Sequence, residues 1–536
     1  MSSESIGNRH KPLVERAGWA VFWNAAFFPL KILIPFISSV IVVRLLRADG
    51  FALLSVATSL LAFLGLFADL GIERTLPRFY PEVEMRYGRE GISRLLLWVA
   101  IIKGMVLLVL IGVIAAAPDY WIGLLGLGPN GHWLLLFIAA LLILGAASDV
   151  SLQLLYTHFK QKITNALDVL ASVVYPILTV GFVLAGWDVL GPLLALLITT
   201  VLSVGLSLWQ SLRIVRHMSG EPHRKAAEVK RPSTRPLRDR LVSFAGLNYL
   251  INWTVYLYDL PFVVLGISLI LVAPEEKKVE VAMIALAYKF TKQFLRALVV
   301  PLTGVQTPLF ARLYAENRIE GLKTAYATIT KFLILALLPT AVGIMISSRN
   351  IIQVVYGQKG HDAVVNELTL PEIVACTAIL AFGLFGESMI SVALNILMVY
   401  EDYRAVIVAR LVALLSIPML LLLVPELGAV GAAIAAASAG LASRGVALVY
   451  AVRKLGLVFP GAFFTRVGMA SIVMGVALLP ILAYLPPNWL TTILMVAAGA
   501  AVFLAAFKWL GGMDYEDKER FRALRIPLGN VVLRFL

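Results

Sequence analysis

Three cations stand at positions 289, 292 and 296 in the stretch YKFTKQFLRALVVPL, which otherwise has the composition of a membrane-spanning helix. Lys289, Lys292 and Arg296 fall at i, i+3 and i+7, so a helix gathers them on one face. A cation at membrane depth is costly and by default marks a site or a pathway. Ammonium and guanidinium groups replace the hydration of an anionic group, and arginine can hold two oxygens at once. This face therefore predicts a cationic wall of a wet cavity that holds an anionic part of a substrate; the alternatives are snorkelling to the headgroups, or a span that starts nearer Tyr288 and leaves Lys289 as an interface anchor.

Other ionisable residues lie in equally apolar surroundings. Lys31 falls between Pro29 and Pro35, and prolines loosen a spanning helix in a way that suits a gate; an ion pair with a neighbouring span is the alternative reading of Lys31. Asp149, Asp259 and Glu387 are acids inside apolar runs. Each can carry a proton or sodium ion, or neutralise a neighbouring cation, as Asp259 could with Lys292 or Lys31; the sequence leaves these readings open. Arg410, Arg444 and Lys103 lie nearer the ends of their spans and are expected to snorkel to the headgroups. Six scattered histidines show no ligand spacing, and the single Cys376 lies in an apolar run. No metal site and no other cofactor is predicted, apart from proton or sodium coupling.

The elements that must position these residues are membrane helices. The chain has 536 residues, of which 60% are hydrophobic and 15% charged, with a mean hydropathy of +0.88. A soluble domain carries about 25% charged residues, so the class is an all-α polytopic membrane protein. Fourteen stretches are apolar and long enough to span: 19–43, 51–70, 95–117, 133–157, 164–185, 189–212, 243–272, 281–308, 324–347, 369–399, 405–424, 428–450, 463–484 and 489–510. The first lacks a small-residue cleavage site and reads as a retained span, not a signal peptide. The eighth starts near 281, which puts Lys289 roughly 12 Å and Arg296 about 22 Å into the bilayer.

The net charge of +14 does not point to nucleic acid, because basic residues of membrane proteins collect on cytoplasmic loops. With both termini inside, the inner segments hold 32 of the 46 Lys and Arg and the outer loops hold six. That bias supports an even number of spans and cytoplasmic termini in a cell (inner) membrane. The expected organisation is an N-terminal lobe of six spans (1–212), a basic linker (213–240) and a C-terminal lobe of six spans (241–455). Two additional spans (456–512) and a cytoplasmic amphipathic tail (513–536) follow.

A weak repeat relates the lobes. Asn24 and Lys31 match Asn252 and Asp259 at an offset of 228, and Gly145 and Asp149 match Gly383 and Glu387 at an offset of 238. Parallel repeats around a central site are a transporter plan. The Gly- and Ala-rich twelfth span is a packing signal. The segment DLGIERTLPRFYPE, 69–82, reads as a solvated membrane-edge turn in which Gly71 stops the second span; a cytoplasmic gate or a lipid-headgroup contact is the alternative. No phosphate-binding GxxxxGK[ST] loop occurs, and neither HExxH nor GxSxG is present. Long external loops are also lacking, which argues against a membrane-bound glycan polymerase.

Fourteen spans, the basic loop after span six, DLGIERTLPRFYPE and the PELGAVGAAIAAA start of span twelve together resemble the polysaccharide-transporter, or Wzx-type, flippases. These belong to the multidrug/oligosaccharidyl-lipid/polysaccharide exporter superfamily. The resemblance implies two lobes around a central cavity and a substrate that is a polyprenyl-diphosphate-linked oligosaccharide. Such a substrate is carried from the inner to the outer leaflet for surface polysaccharides such as lipopolysaccharide or exopolysaccharide. It implies a secondary transporter rather than an enzyme, working by alternating access. Lys31, Lys289, Lys292 and Arg296 would bind the diphosphate, and Asp149, Asp259 or Glu387 would couple an ion. The implied partners are the lipid-linked glycan and membrane lipids, with a glycan polymerase and chain-length regulator left open. The alternative within transport is an ion-coupled multidrug exporter, which a cationic cavity disfavours.

Overall fold

The computed structural model describes residues 13–158, 160–216, 237–315, 318–358, 363–400, 402–515 and 518. Among them every regular element is helical. The chain divides into two compact units, Met1–Leu46 with Leu53–Trp253, and Arg47–Ala52 with Thr254–Leu536. Most of the linker expected at 213–240 and of the tail expected at 513–536 lies outside the described residues.

The first unit is built on α1 (Leu13–Leu45), α2 (Ala48–Asp69), α3 (Ile72–Ala116), the short α4 (Pro118–Leu125), α5 (Gly131–Thr157), α6 (Gln161–Leu184), α7 (Leu190–Arg216) and α8 (Leu237–Tyr256). Helix α1 packs on α6, α5 packs on α7 and α3, and α6 on α7. The α2–α3 corner is sharp because Leu70 and Gly71 both take positive φ. A Cβ on Gly71 would come within 2.2 Å of the Ala245 carbonyl oxygen on α8, so glycine is required there for a close approach as well as for the turn. Gly71 does stop the second span, as expected.

The segment that follows is not a solvated turn, and this corrects the sequence reading. Helix α3 begins at once, and Thr75, Leu76, Phe79, Tyr80 and Val83 are buried. Apolar residues at 76, 79, 80 and 83 repeat at helical spacing, so this is an amphipathic helix. Phe79 meets Phe244 of α8, the Arg240 guanidinium lies 5.6 Å from the Phe79 ring, and the Tyr80 hydroxyl pairs with His158 at 2.9 Å. Gly88, at φ 58°, breaks α3 between this segment and its spanning part.

The second unit contains α9 (Leu260–Ile270), α10 (Pro274–Ala315), α11 (Ile319–Tyr356), α12 (Leu370–Val399) and α13 (Tyr403–Leu411). A 3₁₀ turn then leads to α14 (Ser416–Leu455), α15 (Gly461–Tyr484) and α16 (Trp489–Trp509). Helix α12 packs against α10, α11 and α14; α15 packs on α11 and α16. The buried face of α14 is Gly431, Ala432, Ala433, Ala435, Ala436, Ala439 and Gly440, and small side chains there let the helices approach closely.

Ten helices among the described residues are long and apolar enough to cross a membrane, or eleven if α8 and α9, bent by 58°, form one broken span. One of the ten is a continuous stretch of 52 residues, 404–455. At 1.5 Å per residue it is about twice the length that a bilayer needs. Gly428, at φ 54°, breaks it into two crossings. The Glu280 carboxylate accepts from the Ala429 N–H at the break. Helices α1 and α10, of 33 and 42 residues, are also long enough to cross.

Candidate functional site

The seventh span is not the continuous helix that 243–272 predicts. Pro261 has no N–H, and in an unbroken helix its ring would clash with the carbonyl of Leu257. Helix α8 accordingly ends at Tyr256, and α9 restarts with Asp259 as its N-cap. The Asp259 carboxylate accepts from the Leu260 N–H at 2.8 Å, a cap worth about 1 kcal/mol. The residues at the break, Tyr258 and Asp259, organise the ionisable groups of the second unit.

Asp259 Oδ1 is an ion-pair partner of Lys292 on α10 and accepts from the Tyr288 hydroxyl at 3.0 Å. Lys292 and Tyr288 are four residues apart on α10, so one helical face presents both to Asp259. The Lys292 ammonium also lies 5.1 Å from the Tyr288 ring. The pair is half-buried, with the Lys292 and Asp259 side chains 26% and 32% exposed. Lys289 stands one turn before Lys292. Its ammonium rests 4.9 Å from the Phe51 ring, and among the described residues no carboxylate pairs with it. The side chain of Arg296 lies outside the described residues.

Tyr258 faces other partners. Its hydroxyl accepts from Arg410 at 2.7 Å and Arg444 at 2.8 Å. The Arg444 guanidinium lies 5.0 Å from the Tyr258 ring and forms an ion pair with Glu387. Gly440 leaves room for these groups, since a Cβ there would meet Glu387 at 3.2 Å and Tyr258 at 3.6 Å. Both arginines are 7% exposed. They do not snorkel, contrary to the sequence reading. Arg410 reaches the Tyr258 phenol, and Arg444 reaches that phenol and the Glu387 carboxylate inside the unit, contacts that offset part of their desolvation. The Nε of each arginine has no hydrogen-bond partner among the described residues.

The first unit holds two further pairs. Lys31 on α1 pairs with Asp168 on α6 at 2.6 Å, both half-buried. Asp168 lines a cavity of about 330 Å³ with Ser148, Ser172, Tyr175, Thr199 and Thr200. Ser172, Thr199 and Thr200 donate to carbonyls of their own helices, so their oxygens remain acceptors toward that space. Lys103 on α3 pairs with Asp149 on α5 at 2.9 Å and is 3% exposed. Lys103, too, is buried where snorkelling was expected.

The three acids singled out from sequence thus sit beside cations: Asp149 by Lys103, Asp259 by Lys292, and Glu387 by Arg444. The half-to-half comparison of Asp149 with Glu387 matches a shared arrangement, a buried base next to an acid, although the base comes from α3 in one unit and α14 in the other. Sequence reasoning missed Asp168, Tyr258 and Tyr288. Asp168 could have been found, because it is an acid inside the expected span 164–185. Tyr258 and Tyr288 carry no such signal, since tyrosine is common in membrane helices.

The chain defined by this fold is a polytopic helical membrane protein in two units. The same fold is found in a structure of the lipid II flippase MurJ in an inward closed conformation, with a TM-score of 0.69 at 16% identity, covering 91% of this chain and 98% of that one. A multidrug resistance MATE family transporter of the MOP superfamily, in an inward-facing conformation, gives a TM-score of 0.62 at 15% identity, covering 79% and 94%. A family model for the lipid II flippase MurJ matches residues 278–498. A model described as polysaccharide biosynthesis protein matches residues 41–365, more than half of the chain. The chain belongs to that polysaccharide biosynthesis protein family. No match was found among curated protein sequences.

Proposed function

We propose that the protein is a flippase that carries a polyprenyl-diphosphate-linked oligosaccharide from the inner to the outer leaflet of the cell membrane, by alternating access. The observation that carries this reading is the face of α10, where Lys289 and Lys292 stand one turn apart, half-buried, in a chain of the polysaccharide biosynthesis protein family. A diphosphate cannot cross hydrocarbon unaided, and ammonium groups replace its water. Cations spread along a helix face hold an anion without caging it, which favours release. Lys289, Lys292 and Arg296 are assigned to the diphosphate, and Lys31 to the same role in the first unit. The protein would act as a transporter and catalyse no covalent step, with a glycan polymerase and chain-length regulator downstream.

A multidrug exporter of the MATE kind shares the fold but is the weaker reading. Exporters of cationic drugs need accessible acids, and Asp149, Asp259 and Glu387 each hold a cation already. Proton or sodium coupling through one of them requires displacement of Lys103, Lys292 or Arg444, respectively.

Deletion of the gene decides between the two. Accumulation of a lipid-linked oligosaccharide on the inner leaflet supports the flippase. Drug sensitivity without accumulation supports the exporter.

A further inference from the structure

The Lys292 ammonium is not free to receive an anion, because Asp259 holds it. The same Asp259 oxygen accepts from the Leu260 N–H at 2.8 Å and from the Tyr288 hydroxyl at 3.0 Å. A carboxylate that loses its ion-pair partner normally becomes a costly buried charge. Asp259 would not, since two fixed donors and the first turn of α9 remain to stabilise it. We propose that the Asp259 carboxylate is a built-in competitor for the anion that Lys292 binds: it occupies the ammonium between substrates and yields it to a phosphate oxygen while keeping its own seat. The inference rests on the assignment of Lys292 to the substrate diphosphate.

Three further features fit an exchange rather than a fixed strut. The side chains of the pair are 26% and 32% exposed, so an incoming anion can reach it, whereas the side chains of Arg444 and Glu387 are 9% and 19% exposed. An ammonium has three donors. A phosphate oxygen can therefore engage Lys292 before Asp259 lets go. Lys289, one turn away, packs on Phe51, and among the described residues no carboxylate pairs with it, so a second ammonium stands beside Lys292 for the same anion. A diphosphate carries more charge than one carboxylate and wins the ammonium while bound. The return of Asp259 then opposes rebinding and assists release, so Asp259 sets both the affinity and the turnover.

The test uses the purified full-length protein with inorganic pyrophosphate as the probe, by calorimetry at neutral pH and fixed ionic strength. Asp259→Asn keeps the N-cap and the side-chain shape but releases Lys292. It should tighten pyrophosphate binding about tenfold, within the usual range of coupling between sites, and slow flipping in cells. Tyr288→Phe removes one donor from Asp259 and throws it back on Lys292, so binding should weaken several-fold. Lys292→Ala should weaken binding and abolish the effect of Asp259→Asn in the double variant. If Lys292→Ala weakens binding while Asp259→Asn leaves it unchanged or weaker, the competitor role is wrong and the diphosphate assignment stands. If Lys292→Ala leaves pyrophosphate binding intact, the assignment and the inference both fall.

Discussion

Asp259 and Lys292, 33 residues apart, join the restart of a broken span to the cationic face of α10. Asp259 caps α9 with the oxygen that also receives Lys292, so the helix break and the charged face depend on one carboxylate. This relationship makes Lys292 the most informative residue to change. Lys292→Ala removes a cation from the face and leaves Asp259 without its ion pair at membrane depth. We expect surface glycan to fall by about tenfold or more, as when a charge-assisted contact of roughly 1.5–3 kcal/mol is lost, with membrane insertion retained. Lys292→Arg should keep a substantial part of the activity. Wild-type glycan levels in Lys292→Ala would remove the face from the mechanism.

The Tyr258 cluster makes a separate prediction about stability. Glu387→Gln leaves Arg444 buried without its carboxylate, and loss of one partner of a buried pair costs about 3–5 kcal/mol. Thermal unfolding in detergent should begin at clearly lower temperature. Replacing both members, as Glu387→Met with Arg444→Met, should restore much of the loss. A double variant as unstable as the single one would show that the Tyr258 contact of Arg444, and not its ion pair, holds the cluster.

How far such contacts could be read from sequence depends on their range. The cations on α10 were legible because helical spacing is local, and the turn at Gly71 because a glycine after an apolar run is a stop signal. The break before Pro261 was present in the sequence as a proline, yet 243–272 reads as continuous because its apolar character does not lapse. Partners were not legible. Asp168 lies 137 residues from Lys31, and Arg444 lies 186 from Tyr258. Snorkelling was expected for Arg410, Arg444 and Lys103 from depth alone, but depth does not say whether a side chain points to lipid or into its unit. That choice is made by tertiary packing, here around Gly440 and the alanines of α14.

Gly428 offers a test of the break that divides the 404–455 stretch. Its φ of 54° is in the left-handed region, and a Cβ would meet the Glu280 carboxylate at 2.4 Å. Gly428→Ala should therefore destabilise by about 1–2 kcal/mol from the backbone, with a further loss as Glu280 leaves the Ala429 N–H. A lower midpoint in a detergent melt is the expected result. Glu280→Gln, which still accepts at Ala429, should be milder. Equal stability of Gly428→Ala and wild type would mean that the break is not fixed by this glycine.

Asp402 precedes the 404–455 stretch and predicts a shallow pH response. Lys454 donates to Asp402 and lowers its pKa. A depressed acid stabilises the fold above its unfolded value and loses that contribution as pH falls through its folded value. Asp402 therefore contributes above the acid range, and it contributes little because the Lys454 side chain is 52% exposed. Asp402→Asn keeps the cap on Ala405 and should leave the melting curve near neutral pH almost unchanged. A large loss there would show that the pair is coupled to groups beyond its own two helices.

Lys31 can be assigned by a charge exchange. Its ammonium pairs with Asp168 at 2.6 Å beside the cavity of the first unit. If pairing is its whole role, Lys31→Asp with Asp168→Lys rebuilds the bridge, and both protein level and surface glycan should recover from the losses of either single change. If Lys31 also binds the diphosphate, the exchange puts an acid on α1 where the anion must be held. Protein level should then recover and glycan should not. The second outcome is expected, because a half-exposed lysine between two prolines can reach a ligand as well as its partner. Recovery of both would confine Lys31 to structure and leave the anion to the cations of α10.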